Sequence, residues 1–239
     1  MNKQKTSSII GKLLAVCKKY VMPDSIDVVI KEPYIPFIPN KWNGMIVLAE
    51  SQNLSWKNQD YVDYLYSLTP NERIKRLNFG GDEIGVEPWD DGSLKLAVEA
   101  AFRVKALETS VSNAVLWSQR GDSEENVNPD FDLQEVSSKL WTEILGTLNP
   151  NVIICSGKIA DSIINNAGWN GKIINLRLPS KTAMSRISGM FDEEDLLRRY
   201  PEVKVVIDNN PEWLDSGYLR NKIFFACHAV SLYNGTKNT

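Results

Sequence analysis

Histidine and cysteine are scarce in this chain of 239 residues, which has one of the first (His228) and three of the second (Cys17, Cys155, Cys227). Three thiols, odd in number and far apart, argue against a disulfide framework and a four-thiolate metal site. His228 sits in the apolar run Phe224-Phe-Ala-Cys-His-Ala-Val230 with no triad partner or metal spacing beside it. It reads as packing or surface, and no catalytic role falls to it. No window approaches 18 uninterrupted apolar residues, which argues against a membrane span. The opening Met1-Asn2-Lys3-Gln4-Lys5 leads into an amphipathic segment carrying lysines, unlike the apolar core of a signal peptide, so a soluble, cytoplasmic chain is expected. A P-loop, a dinucleotide fingerprint and zinc spacing are all missing, and neither cofactor nor metal is expected. An excess of positive charge is missing too. With 27 basic and 30 acidic residues the net charge is -3, so any hold on nucleic acid must come from a local basic patch.

What is present is an ordinary globular composition, 43% hydrophobic and 24% charged, with ample material for a core. No internal repeat and no domain boundary stand out, so residues 1–239 are read as a single domain. Within it, residues 1–43 supply a helix and a proline-rich strap, and 234–239 a polar, frayed tail. Ser7 or Ser8 caps a helix to about Tyr20, and Glu32-Pro-Tyr-Ile-Pro-Phe-Ile-Pro39 follows as extended chain across the surface.

The stretch Met45-Ile-Val-Leu-Ala-Glu-Ser-Gln-Asn-Leu-Ser55 organises the reading. Its apolar start behind Asn43-Gly44 fits a strand buried on both faces, and the composition flips at Glu50 to polar residues. Two short helices are expected near 59–68 and 70–77, then a long loop over 78–92, a length often functional. A helix over 93–107 and a strand over 111–117 come next. Asp130 or Asp132 opens a helix to Leu148, Asn149-Pro150 stops it, and 152–156 forms the third strand. Gly157 opens a helix to Asn166, and the fourth strand covers 172–178. Helices near 192–200 and 216–233 close the chain. This alternation predicts an α/β fold: three-layer α/β/α around a four-stranded, mainly parallel sheet. Ligands of such sheets sit beyond the carboxyl ends of the strands.

Three segments carry a family resemblance: Val111-Ser-Asn-Ala-Val-Leu-Trp117, the helix over 133–148, and Leu148-Asn-Pro-Asn-Val-Ile-Ile-Cys-Ser-Gly-Lys-Ile-Ala160. Together they resemble the uracil-DNA glycosylase superfamily, over roughly residues 44–200. Ala49-Glu-Ser-Gln-Asn-Leu-Ser55 lies where the mismatch-specific branch has Gly-Ile-Asn-Pro-Gly-Leu-Ser. Leu176-Arg-Leu-Pro-Ser-Lys-Thr-Ala-Met-Ser-Arg186 lies where it has Leu-Pro-Asn-Pro-Ser-Gly-Leu-Ser-Arg, two residues shorter. The departures fall at the chemistry. That branch's catalytic asparagine falls on Ser51, while the thermophile-type branch's motif glutamate falls on Glu50 and is retained. Gln52 and Asn53 replace a proline and a glycine, and Leu178 stands where His or Asn usually opens the second motif. Two cysteines of the thermophile-type iron–sulfur cluster would fall on Trp117 and Ser137, which excludes the cluster.

The resemblance implies a uracil-DNA glycosylase-like fold and a site at these strand ends. Asn113 falls on the family's uracil-binding asparagine, and its amide suits the N3–H and O4 of a uracil edge. Its plainer reading is an asparagine closing a turn. Glu50 would orient water, with Ser51 beside it, where otherwise a strand-end carboxylate caps a helix or pairs with a cation. Gln52 and Asn53 would line the base pocket. Trp89, or else Phe79, would offer a stacking face, against the plainer reading of an aromatic pinning its loop. Ser180, Lys181, Ser185 and Arg186, with Thr182 and Lys158, would hold DNA phosphates, where a solvated charged loop is the plainer account.

The expected function is therefore a divergent glycosylase that binds a flipped base in DNA and hydrolyses its N-glycosidic bond, in the manner of base-excision repair. The alternative is a catalytically silent module on the same fold, binding a nucleobase, a nucleic acid or a protein. A hydrolase acting on a small nucleoside is a third option.

Overall fold

A computed structural model describes residues 3–23, 26–51, 53–54, 59–78, 85–120, 129–176, 191–214 and 219–237. In chain order the elements are α1 (Lys3–Cys17), β1 (Met45–Ala49), β2 (Asn53–Leu54), α2 (Gln59–Ser67), α3 (Pro70–Asn78), α4 (Glu87–Asp90), α5 (Ser93–Phe102), β3 (Ser110–Asn113), β4 (Gln119–Arg120), α6 (Phe131–Leu148), β5 (Val152–Ser156), α7 (Lys158–Asn166), β6 (Lys172–Leu176), α8 (Glu193–Arg199), α9 (Pro201–Asn209) and α10 (Leu219–Lys237). Single 3₁₀ turns cover Ala106–Glu108 and Pro211–Leu214. The fold is α/β, a four-stranded parallel sheet between helical layers. The chain divides into two compact units, Met1–Val86 with Ser110–Asn175, and Glu87–Thr109 with Leu176–Thr239.

In the first unit the strand order is β3-β1-β5-β6. β1 lies between β3 and β5, parallel to both, with Val47 opposite Val111 and Ile154. All five β1 residues are buried, as a strand covered on both faces requires. Ile46, Leu48, Ile153 and Cys155 share one hydrophobic cluster with Leu13 and Cys17 of α1, Leu140, Trp141 and Ile144 of α6, and Ile163 and Ile164 of α7. The α6 residues recur at three- and four-residue spacing, the signature of a helix burying one stripe. Gly44, with φ 86°, immediately precedes β1; a Cβ there would meet the Asn151 side chain, and the Asn151 N–H donates to its carbonyl at 2.8 Å.

The segment expected to lie across the surface is instead stitched along the outer edge of β3. Val29, Tyr34 and Phe37 N–H groups donate to the carbonyls of Ser118, Leu116 and Val111 at 2.8, 2.7 and 2.8 Å. Phe37 and Val111 form an antiparallel bridge. The Trp117 indole N–H donates to the Lys31 carbonyl at 3.0 Å. Prolines at 33, 36 and 39 are tolerated because an edge needs few of the strap's own donors.

Several element boundaries also differ from expectation. α1 begins at Lys3 and ends at Cys17, earlier at both ends than expected. β3 stops at Asn113, since Ala114 and Val115 turn to donate to the carbonyls of Ala49 and Glu50. Asp130 stands at the N-cap of α6 without a capping bond, because its carboxylate accepts from the Gln119 amide at 2.9 Å. The helix expected near 192–200 is α8, and Asp192 caps it by accepting the Asp195 N–H at 2.9 Å.

In the second unit, α5 ends at Arg103 in the left-handed conformation (φ 54°, ψ 38°), earlier than expected. α5 packs against α10, where the Phe102 and Tyr233 rings meet edge-on at 4.7 Å. α9 is a helix that the sequence reading leaves out. α10 runs to Lys237, so the tail expected to fray from 234 is helical that far. No helix among the described residues is long and apolar enough to cross a membrane.

Candidate functional site

The pairing register converges three strand ends of the first unit. Ala49, the last residue of β1, lies opposite Asn113, the last of β3, and Leu48 lies opposite Cys155 on β5. One step further along β1, Glu50 reaches Gly157, the residue after β5. A Cβ built on Gly157 would fall on the Glu50 carboxylate. The strand that comes first in the sheet's sequence thus lies between the second and the third. In open α/β sheets of this order the ligand crevice opens at the carboxyl ends of the first and third strands. Here that place is occupied by Glu50 and the start of α7.

Glu50 is half-buried, and its Oε1 accepts the Ile159 N–H at 3.1 Å. Ile159 is the second residue of α7, so the carboxylate satisfies an amide that the first helical turn leaves without an intrahelical partner. Gly157 has φ 106° and ψ 164°, backbone that is essentially glycine-only. The Glu50 carbonyl accepts from Val115 N–H at 2.9 Å. Ser51 follows, half-buried.

Asn113 is 6% exposed, and its Nδ2 donates to the Gly85 carbonyl at 3.2 Å. The turn that follows it is braced from α6. Ser137 Oγ accepts the Leu116 N–H at 3.3 Å, and the Trp141 indole N–H donates to the Ala114 carbonyl at 2.7 Å. The chains leaving β1 and β3 then run parallel as β2 and β4, with Asn53 opposite Gln119. Asn53 is thereby placed in a strand pair rather than a free turn.

Trp89 belongs to the second unit, on the short helix α4, and is 2% exposed. A ring so placed presents no open face, so base stacking on it would require its withdrawal from that packing. The expected loop over 78–92 thus contains helical turns from Glu87 onward. Gln52, Phe79, Leu178, Ser180, Lys181, Thr182, Ser185 and Arg186 lie outside the described residues. Lys158 is exposed at the first position of α7.

Cys155 ends one residue short of the crevice, but burial, with a smaller push from Asp161, raises its thiol to about 12. It is no nucleophile at neutral pH. Among the described residues no three His, Cys, Asp or Glu side chains converge to hold a metal ion. Two concavities of the first unit are lined elsewhere, one by Asp27, Gln59, Asp63 and Tyr66, the other by Ile10 and Ile35–Asn40. Neither includes Glu50 or Asn113, and the strand-end geometry outweighs their size as a guide to chemistry.

Sequence reasoning missed the Ile159 amide and the Gly85 carbonyl. A glycine between a buried strand and a helix was the available signal for the first; nothing in the sequence marks the second. No protein-family model matches the chain, and no curated protein matches it.

Proposed function

We propose that this chain is a divergent uracil-DNA glycosylase-like protein that binds a base flipped out of DNA and hydrolyses its N-glycosidic bond. The observation that carries the reading is the adjacency of Glu50, Asn113 and the α7 amino terminus at three neighbouring parallel strand ends. The motif order described above supplies the choice of substrate class.

In this reading Asn113 grips the Watson–Crick edge of the base. An amide has two N–H groups and one carbonyl, and the bond to Gly85 uses one of the three while fixing the plane of the others. Glu50 positions a water for attack on the sugar C1′. The water oxygen bonds to that carbon, the C–N bond breaks with its electrons leaving on the base, and the water's proton passes to Glu50. Ser51 and Gln52 line the pocket, and Ser180, Lys181, Ser185 and Arg186 hold backbone phosphates. Leu178 supplies no donor to the departing base, a loss worth about 10²–10³ in rate.

A silent binding module is the second reading, and one observation favours it. The Glu50 Oε1 already serves as an acceptor for the α7 terminus, as a purely structural carboxylate would.

Alkali cleavage of oligonucleotides carrying uracil, hypoxanthine or mismatched thymine separates the two. The glycosylase reading expects base release by the wild type and its loss in Glu50→Ala and Asn113→Ala. No release, with salt-dependent binding whose log–log slope falls by about 1 in Lys181→Ala, supports the module. No binding even at low salt removes DNA as the target.

A further inference from the structure

We propose that Gly157 and the Ile159 amide are the device that positions the Glu50 carboxylate, making Gly157 a positioning residue for whatever chemistry Glu50 performs. Its catalytic use rests on the glycosylase reading; the seat itself does not.

Three observations meet here. The Ile159 N–H donates to Glu50 Oε1, across more than a hundred residues of sequence. The volume that a side chain at 157 would fill is the volume the carboxylate occupies, with Oε1, Cδ and Cγ of Glu50 its three nearest atoms. The register of β1 on β5 delivers Glu50 to that position, so the seat is assembled by the sheet rather than by a loop. Holding one carboxylate oxygen on a helix amide fixes the side chain's torsions and leaves the second oxygen's direction determined. Fixing the torsions is what orienting a water demands, because a displacement of about 1 Å can cost about 10²-fold in rate.

The test replaces Gly157 by Ala, which drives the carboxylate off its seat, and separately replaces the Ile159 amide by an ester, which deletes the donor without adding any atom to the crevice. Gly168→Ala is the control: it adds a methyl at another positive-φ glycine (φ +74°), just past the far end of α7, where nothing lies within 4 Å of a Cβ, and so leaves Glu50 untouched. Single-turnover base release at saturating DNA should fall about 10²-fold in both test variants, with DNA affinity held within about twofold. Gly168→Ala should keep the wild-type rate. An ester variant at full rate overturns the proposal, as does a loss shared equally between rate, affinity and thermal stability. Should the wild type release no base, the glycosylase reading fails and the seat is read directly. In ¹⁵N-isoleucine-labelled protein the Ile159 amide signal should shift and its hydrogen exchange quicken on Glu50→Ala. An unmoved signal with unchanged exchange overturns the seat.

Discussion

Glu32 and Arg73 form an ion pair at 2.9 Å in which the residues are 4% and 8% exposed. The guanidinium also donates to the Leu65 carbonyl at 3.1 Å and lies over the Tyr66 ring at 5.0 Å. Strap, α2 and α3 thus converge on one side chain. Desolvating two charges costs several kcal/mol, which their attraction repays only while both are present. Glu32→Ala should therefore lower the free energy of unfolding by about 3–5 kcal/mol, because Arg73 is left buried and alone. Glu135→Ala, which breaks a pair with Lys139 that is more than half exposed on both sides, should change it by less than about 0.5 kcal/mol. Urea titration of the two variants measures both. Equal losses would mean that burial does not decide the matter here.

Helix ends show how the chain handles unfavourable backbone. Arg103 closes α5 with φ 54°, its N–H donating to the Glu99 carbonyl at 3.0 Å, and its side chain is exposed. A side chain in this conformation costs about 1–2 kcal/mol, against about 0.5–1 kcal/mol for the extra freedom glycine has when unfolded. Arg103→Gly should then stabilise by about 0.5–1 kcal/mol, read as a higher denaturant midpoint at constant slope. A lower midpoint would show that the arginine makes contacts worth more than its strain. The same local rules explain what was legible. α6 and β1 announce themselves through period and composition, and α8 falls where a helix near 192–200 is expected. The helix Pro201–Asn209 is hidden by Val203, Val205, Val206 and Ile207, β-branched residues that blunt a helical pattern, although Pro201 marks its first turn. The apolar run Ala114–Trp117 reads as strand, yet the N–H groups of Ala114, Val115 and Leu116 are taken by the Ala49 and Glu50 carbonyls at the end of β1 and by Ser137 Oγ on α6. Hydrogen-bond partners so far away in sequence leave no local trace.

At the scale of the whole molecule, burial raises the thiols of Cys17, Cys155 and Cys227 from 9.0 to about 12, with carboxylates at 143, 161 and 202 adding to the rise. Burial likewise pushes Tyr34 up. Below pH 9 the folded and unfolded chains both keep these protons, so their contribution is constant. Above it the unfolded chain releases protons that the folded chain retains, and stability is lost as pH climbs toward 12. Thermal midpoints should hold steady from neutral pH to about 8.5 and fall beyond it. Cys→Ser at all three positions should flatten that descent; an unchanged descent would assign it to other groups. The candidate site is also a whole-molecule property. Glu50 stands out singly as the polar residue ending an apolar run, whereas Asn113 precedes one and is marked only by the motif it belongs to. Their meeting depends on β1 entering between β3 and β5, a choice made by long-range pairing, and the Glu50–Ile159 bond follows from it.

The strap on β3 has a consequence for the company the protein keeps. A bare outer strand is a template on which a foreign peptide, or a second copy, can extend the sheet. Here that template is already used by the chain's own residues 29–37, whose prolines offer no amide to recruit another layer. Assembly by strand addition is closed on that flank, and any partner arriving there has to recognise side chains.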